Sequence, residues 1–97
     1  MITSKQRSYL KSISNKLKAI FQLGKGGIDD NFFKQIDEAL ENREIIKISI
    51  LESSGFETRE ASEIICDKLK CEGVLAIGNK LVIYRKSEKN PKIVLPN

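Results

Sequence analysis

The sequence predicts a single α/β domain in which a mixed four-stranded sheet is packed by helices. Segments with helical and strand-like apolar spacing alternate in the order α-β-α-β-α-β-β. Helical crossovers separate the first three strands and predict that these strands pair in parallel, whereas a closing hairpin adds an antiparallel strand. A length of 97 residues suits one modest core and is too short for two independent domains.

The first helix is predicted over roughly residues 3 to 16. Thr3 and Gln6 have the spacing of a capping box, and an apolar stripe follows at Leu10, Ile13 and Leu17. The next five residues, 19 to 23, are rich in strand formers and end at a glycine run.

A second helix is predicted over residues 29 to 43, with Asp29 as its N-cap. Its inward face repeats at helical spacing and comprises Phe33, Ile36 and Leu40. Residues 45 to 51 alternate well enough to form the second strand, and Ser53-Ser54-Gly55 marks the loop that follows.

The last elements are a third helix, a hairpin and a tail. Thr58 is the predicted cap of the third helix, and Gly73 is placed just past its end. Strands at 74 to 77 and 81 to 85 flank the turn Gly78-Asn79-Lys80. The tail from about residue 87 carries two prolines and is expected to be extended, with packing open for residues 93 to 95.

The composition excludes several classes of function. The chain has no histidine, so it lacks the usual general base near neutral pH and the Ser-His and Cys-His nucleophile pairs. Cys66 and Cys71 cannot supply the four ligands of a structural zinc site, and we expect both to be free thiols in a reducing compartment. No catalytic residue, metal or cofactor is therefore predicted.

No apolar run approaches the 20 or so residues of a membrane span, which favours a cytoplasmic protein without a membrane partner.

The net charge of +4 is unevenly distributed along the chain. Residues 1 to 28 carry six basic side chains and no acid, whereas residues 29 to 73 carry twice as many acids as bases. Residues 74 to 97 are basic again, with a single glutamate. If the two ends meet in space, they form one basic face backed by an acidic one, the electrostatic outline of a polyanion binder. The alternative is a set of scattered, solvated lysines.

The glycine run between the first strand and the second helix has two interpretations. Glycines let the backbone approach a phosphate closely, and Lys25 supplies a mobile charge. The run fits neither a Walker A loop nor a dinucleotide fingerprint, but it contains the G-x-x-G pattern with which KH domains clamp a nucleic-acid backbone. Taken alone, the run is more typical of a plain strand-to-helix turn that needs a positive φ. The residues concerned are Gly24, Lys25, Gly26 and Gly27.

Two other sets of side chains have competing interpretations. Tyr9 and Tyr84 could stack on bases if exposed, but core packing is the expected role of both. Four carboxylates on the third helix resemble a metal or acid-base cluster, although a solvated outer face is favoured; they are Glu57, Glu60, Glu63 and Asp67.

Four segments together resemble the YhbY family of stand-alone bacterial CRM-domain proteins: residues 3–11, 23–28, 77–85 and 92–96. The resemblance spans nearly the whole chain. It implies an RNA-binding domain similar to the C-terminal domain of translation initiation factor three, with the glycine loop in contact with RNA. It also implies association with precursors of the large ribosomal subunit.

By position, the resemblance assigns RNA contact to the glycine loop, to the first helix and to the residue after the last strand: Gly24, Lys25, Gly26, Gly27, Lys5, Arg7, Lys11 and Arg85. Lys18 is added as a candidate because it lies on the same basic flank of the first helix as Arg7 and Lys11. The hypothesis is a non-catalytic protein that binds ribosomal RNA and assists assembly of the large subunit, without a small-molecule substrate. The chief alternative is a protein-protein adaptor on a ribosomal or other assembly, in which the acidic helices make the contact. An enzyme that binds phosphate would need a constellation that the sequence lacks.

Overall fold

Helices and strands follow one another in the predicted order. The computed structural model describes residues 2–97. The elements are α1 (Ser4–Ser14), β1 (Ala19–Leu23), α2 (Asp30–Arg43), β2 (Ile45–Ile50), a 3-10 turn (Glu52–Ser54), α3 (Thr58–Leu69), β3 (Glu72–Ile77) and β4 (Lys80–Tyr84). Each predicted element therefore exists, with bounds that shift by one or two residues.

Two helix caps agree with the sequence and one differs. The Gln6 amide donates to Thr3 Oγ1 at 3.1 Å and the Thr3 amide donates to Gln6 Oε1 at 2.9 Å, which completes the capping box of α1. Asp29 caps α2 as predicted. The N-cap of α3, however, is Glu57 rather than Thr58. The Thr58 hydroxyl instead donates to the Gly78 carbonyl at 2.6 Å, and this bond connects α3 to the hairpin turn.

The end of α3 also differs from the prediction. Lys70, not a glycine, has the left-handed conformation that ends the helix, with φ 55°. Gly73 lies inside β3, where a Cβ would meet Ser62 Oγ at 3.4 Å. Gly73 is therefore a strand residue that faces α3, and it does not terminate the helix.

The four strands form one mixed sheet in the order β1-β2-β4-β3. β1 pairs with β2 in parallel, as predicted. The expectation that β2 also pairs with β3 was wrong, because β4 lies between them and pairs antiparallel with both. β3 still points the same way as β2, so the crossover through α3 spans one intervening strand.

The two central strands bury side chains on both faces of the sheet. On the face covered by α2 and α3, they contribute Ile46, Ile48, Ile50, Leu81 and Ile83. On the opposite face, which we call the α1 face, they contribute Ile45, Val82 and Tyr84, which pack with Leu10 of α1. Full burial of one such aliphatic side chain is worth about 1.5 to 3 kcal/mol, so the two layers stabilise the domain together. Within residues 2–97, no helix is long and apolar enough to cross a membrane.

The tail from Ser87 contains no helix or strand, and two carboxylates at the end of α2 hold it. Glu44 is fully buried and accepts the amides of Ser87, Lys92 and Ile93 at 2.9, 2.6 and 2.8 Å. Glu41 accepts the Ser87 hydroxyl at 2.7 Å and two further amides. The anchored tail then places Ile93 and Leu95 against the core of the α1 face.

Acidification is expected to release this tail. The Ser87 hydroxyl and the amides of Glu88 and Lys89 lower the pKa of Glu41 from 4.5 to about 2. Burial raises the pKa of Glu44, but its three amide donors outweigh that effect and lower the pKa overall. A carboxylate whose pKa is lower in the folded chain stabilises the folded state, because the unfolded chain binds more protons at acidic pH. This contribution to the free energy of unfolding is complete above about pH 4.5 and is lost as pH falls towards 2.

Amide chemical shifts of the tail would measure this release. The shifts of Glu88 and Lys89 should stay constant above pH 4.5 and move towards random-coil values with a midpoint well below it. Glu41→Gln should change these chemical shifts at every pH, whereas Glu38→Gln, at an exposed position of the same helix, should leave them unchanged. A midpoint at 4.5 would contradict the role of Glu41.

Candidate nucleic-acid interface

The glycine run forms a tight exposed turn between β1 and α2. The Gly27 amide donates to the Gly24 carbonyl at 3.0 Å, which closes a four-residue turn with Lys25 and Gly26 at its tip. Both tip residues are exposed. The four residues assigned from the sequence therefore lie together at one edge of the sheet.

The fold requires glycine at only one position of this turn. Gly27 has φ +72°, in the left-handed region that other residues adopt at a cost. A Cβ at Gly26 would meet nothing within 4 Å, and one at Gly24 would make an ordinary 3.5 Å contact with Leu51. Folding does not explain why Gly24 and Gly26 are glycines, whereas a ligand that approaches the backbone would.

The N-terminus of α2 contributes less to anion binding than its position beside the loop implies. Asp29 Oδ1 already accepts the Phe32 amide at 2.8 Å, and Asp30 adds a second carboxylate to the first turn. These carboxylates satisfy the helix dipole and would repel a phosphate. An anion at this edge would therefore contact the turn and Lys25 rather than the helix end.

The basic residues of the first segment are spread over α1 and beyond it. Lys5, Lys11 and Lys18 are exposed, whereas Arg7 is half-buried and donates to the Gly73 carbonyl of β3. Lys18 precedes β1, at the opposite end of that strand from the glycine turn, a separation of about 20 Å. The exposed lysines are thus available to a polyanion, while Arg7 also fastens α1 to the sheet.

Arg85 lies apart from the other assigned residues. It follows the central strand β4, at the end of the strands opposite the glycine turn and about 17 Å along β4 from Lys80. Its guanidinium bonds to Asp37 Oδ1 at 2.7 Å, to the Asp37 carbonyl at 3.1 Å and to the Leu69 carbonyl at 3.0 Å. The structure therefore gives Arg85 the role of joining α2, α3 and β4, and we leave it out of the proposed interface.

The two tyrosines have different environments. Tyr84 is 4% exposed within the core of the α1 face, so the prediction of core packing is confirmed for it. Burial raises the pKa of Tyr84, and the neighbouring Glu44 carboxylate adds to the effect. Tyr9 is 41% exposed on α1, so the prediction of core packing was wrong there and its ring is open to a stacking partner.

The four candidate carboxylates at α3 and the two cysteines differ in their exposure. Glu57, Glu60, Glu63 and Asp67 are all exposed, as the favoured interpretation predicts. Cys66 and Cys71 are free thiols. The hydrogen bond between them lowers the pKa of Cys66, whereas the same bond and burial raise the pKa of Cys71. No group of three potential metal ligands in residues 2–97 is placed to hold an ion.

Sequence reasoning missed two lysines on the α1 face of the sheet. Lys47 interrupts the apolar run of β2, and Lys80 begins β4 beside the hairpin turn. The only feature of the sequence that could have indicated them is the charge of Lys47 inside a strand that is otherwise buried on both faces. The prediction treated Lys47 as part of the strand pattern and Lys80 as part of a turn.

Comparisons with known proteins agree with this architecture. The family model of the CRS1 / YhbY (CRM) domain matches residues 2–85. The "Probable RNA-binding protein YqeI" of Bacillus subtilis is 43% identical over 96 residues, which cover 99% of this chain and 100% of the relative. An "RNA-binding protein" of Haemophilus influenzae is 31% identical over 99 residues, covering 98% and 95% of the two chains.

A solved structure supports the same fold. The solution structure of a Staphylococcus aureus protein is similar to this chain with a TM-score of 0.78 and 42% identity, covering 99% of this chain and 100% of the other. The resemblance read from the sequence is confirmed. This chain belongs to the CRS1 / YhbY (CRM) domain family.

Proposed function

We propose that this protein is a non-catalytic RNA-binding protein of the cytoplasm that binds ribosomal RNA and assists assembly of the large ribosomal subunit. The observation that carries the proposal is the exposed turn at Gly24–Gly27, in which two glycines are not required by the fold and Lys25 stands at the tip. Family members that are named as RNA-binding proteins support the choice of ligand.

The proposed mode of binding is directed at the RNA backbone. The turn presents main chain without a Cβ at Gly26, so a phosphate can approach closely, and the Lys25 ammonium neutralises it. The exposed lysines of α1 add further phosphate contacts. Such contacts fix the position of an RNA without reading its sequence, which suits a protein that holds structured RNA during assembly.

The adaptor function rests on a different surface. Ile64 is 37% exposed on α3 among the solvated carboxylates, so this face could contact a basic protein. An adaptor of this kind would bind its particle with little dependence on Lys25. Retained RNA-independent association of a folded Lys25→Glu variant would favour it over the RNA-binding proposal.

Charge reversal at the tip of the turn is the most direct test of the loop. Lys25→Glu should weaken binding to single-stranded RNA by about fourfold or more at 0.15 M salt, since one phosphate contact contributes about 0.7 to the log-log salt slope. The loss should be similar for different sequences. Fluorescence anisotropy across a salt series would measure it, with Lys34→Glu on the exposed side of α2 as the matched control. Equal affinity of wild type and Lys25→Glu would overturn the loop assignment.

A pair of neighbouring glycine substitutions separates folding from binding. Gly26→Ala should change the free energy of unfolding by less than about 1 kcal/mol, because its site is open and its φ is ordinary. It should nevertheless weaken RNA binding, because the new methyl group keeps the phosphate from the backbone. Gly27→Ala should cost about 1 to 2 kcal/mol of stability through its positive φ. Chemical denaturation and anisotropy would measure both effects; full RNA affinity in Gly26→Ala would count against close backbone approach.

Sedimentation in bacterial lysate tests the ribosomal part of the proposal. The tagged protein should co-migrate with precursors of the large subunit in a sucrose gradient at low salt. High salt or ribonuclease should each release it, because the contacts are electrostatic and directed at RNA. A protein that stays at the top of the gradient under every condition would exclude the ribosomal role while leaving binding to other RNAs to be tested.

A further inference from the structure

Part of the α1 face of the sheet is polar and lies beside the glycine turn. We call it the open strip and define it by one side chain each from β1, β3 and β4 and two from β2: Gln22, Ile77, Lys80, Lys47 and Ser49. Four of these five residues are exposed or half-buried, and only Ser49 is buried.

Strand alternation places these side chains on the α1 face. Lys47 and Ser49 alternate with Ile46, Ile48 and Ile50, which belong to the core beneath α2 and α3. Lys80 is two residues before Val82, which packs in the core of the α1 face. The side chains of Lys47, Ser49 and Lys80 therefore point to the same side of the sheet as α1.

Strand register then brings the strip into one row. Gln22 is opposite Ser49, Ser49 is opposite Lys80, and Lys80 is opposite Ile77. With adjacent strands about 4.8 Å apart, the row is about 14 Å long. Lys47 lies two residues along β2 from this row, about 7 Å away.

The two lysines of the strip have no carboxylate partner. The single salt bridge within residues 2–97 joins Arg85 and Asp37. The Lys80 ammonium bonds to the amide oxygen of Asn79 at 3.1 Å, which leaves its charge unneutralised. Lys47 lies between buried isoleucines in a central strand, where a β-branched residue would suit the sheet as well. Folding gives no reason for a cation at this position.

The strip is continuous with the glycine turn. Gln22 lies in β1, two residues before Gly24 begins the turn, and is about 7 Å from it. At the far end of the row, Ile77 is 71% exposed and offers apolar surface to a ribose or a base. A chain of phosphates leaving Lys25 could therefore cross the sheet and meet Lys80 and then Ile77 without passing over an acidic side chain of the strip.

We propose that the open strip is a second contact surface for single-stranded RNA, on which Lys47 and Lys80 each neutralise one backbone phosphate. The proposal rests on the RNA-binding function proposed above and extends it from the turn onto the sheet. Charge complementarity and continuity with the turn select a polyanion as the occupant.

Charge removal on the strip tests the proposal. Lys47→Gln and Lys80→Gln should each weaken binding of a fluorescent oligouridylate by about fourfold at 0.15 M salt and lower the log-log salt slope by about 0.7. The double variant should lose about 16-fold and about 1.4 of slope. Lys34→Gln makes the same charge change on α2 and should bind like wild type. Lys47→Arg keeps the charge and should retain the wild-type slope.

Lysine modification on the unaltered protein gives an answer that does not depend on how a variant folds. Brief acetylation followed by mass spectrometry should show that oligouridylate protects Lys47 and Lys80, as well as Lys25, but not Lys34. If Lys25 is protected and the two strip lysines are not, the strip proposal is overturned while RNA binding stands. If wild-type protein binds no RNA at all, the proposed function itself fails. Equal losses in the Lys34 and strip variants would reduce the effect to net charge and overturn the strip as a site.

Discussion

The burial of both faces of β2 and β4 is the constraint on which the rest of this structure depends. The helices α2 and α3 lie on one face, whereas α1 is the one helix of residues 2–97 on the other. With 11 residues, α1 is about 16 Å long and about 10 Å wide. The area that it covers is smaller than the face of a sheet with four strands of five or six residues. The remaining apolar surface must be covered by something other than a helix, or the exposed positions must be polar. This protein uses both solutions, at opposite ends of the α1 face.

At one end the solution is the C-terminal tail. Its residues 87–93 have few side chains suited to a core, so the anchoring comes from backbone amides that donate to the carboxylates of Glu41 and Glu44. Buried carboxylates are costly without donors, and here the donors and the carboxylate satisfy each other. Glu44 also adopts φ 68°, an unfavourable conformation for a glutamate, while its carbonyl accepts the Arg85 amide at 2.8 Å. The tail lies beyond the residues that the family model matches, yet it completes the core of the domain.

The sequence predicts the elements well because each has a local signal. Apolar spacing, the capping box at Thr3 and the N-cap at Asp29 act within one turn of helix, and all of them hold in the structure. The errors concern choices that depend on distant residues. Thr58 lost its role as a cap because Gly78, twenty residues later, takes its hydroxyl, and the hairpin placed β4 beside β2. At the candidate site, the glycine turn could be predicted because its residues are contiguous. The partners of Arg85 and the row formed by Lys47 and Lys80 could not, because register across strands decides them.

The distribution of aromatic side chains bears on the kind of recognition that this surface can perform. The four phenylalanines all pack against the core beneath α2 and α3, and Tyr84 is buried on the other face. Among residues 2–97, Tyr9 is therefore the one exposed aromatic ring, and it lies on α1 rather than on the sheet. Stacking on aromatic rings is how many proteins hold splayed bases, whose edges hydrogen bonds can then distinguish. A surface that offers lysines, a bare turn and aliphatic side chains instead is suited to phosphates and riboses. Its affinity would then depend on salt and on the shape of the RNA far more than on base identity.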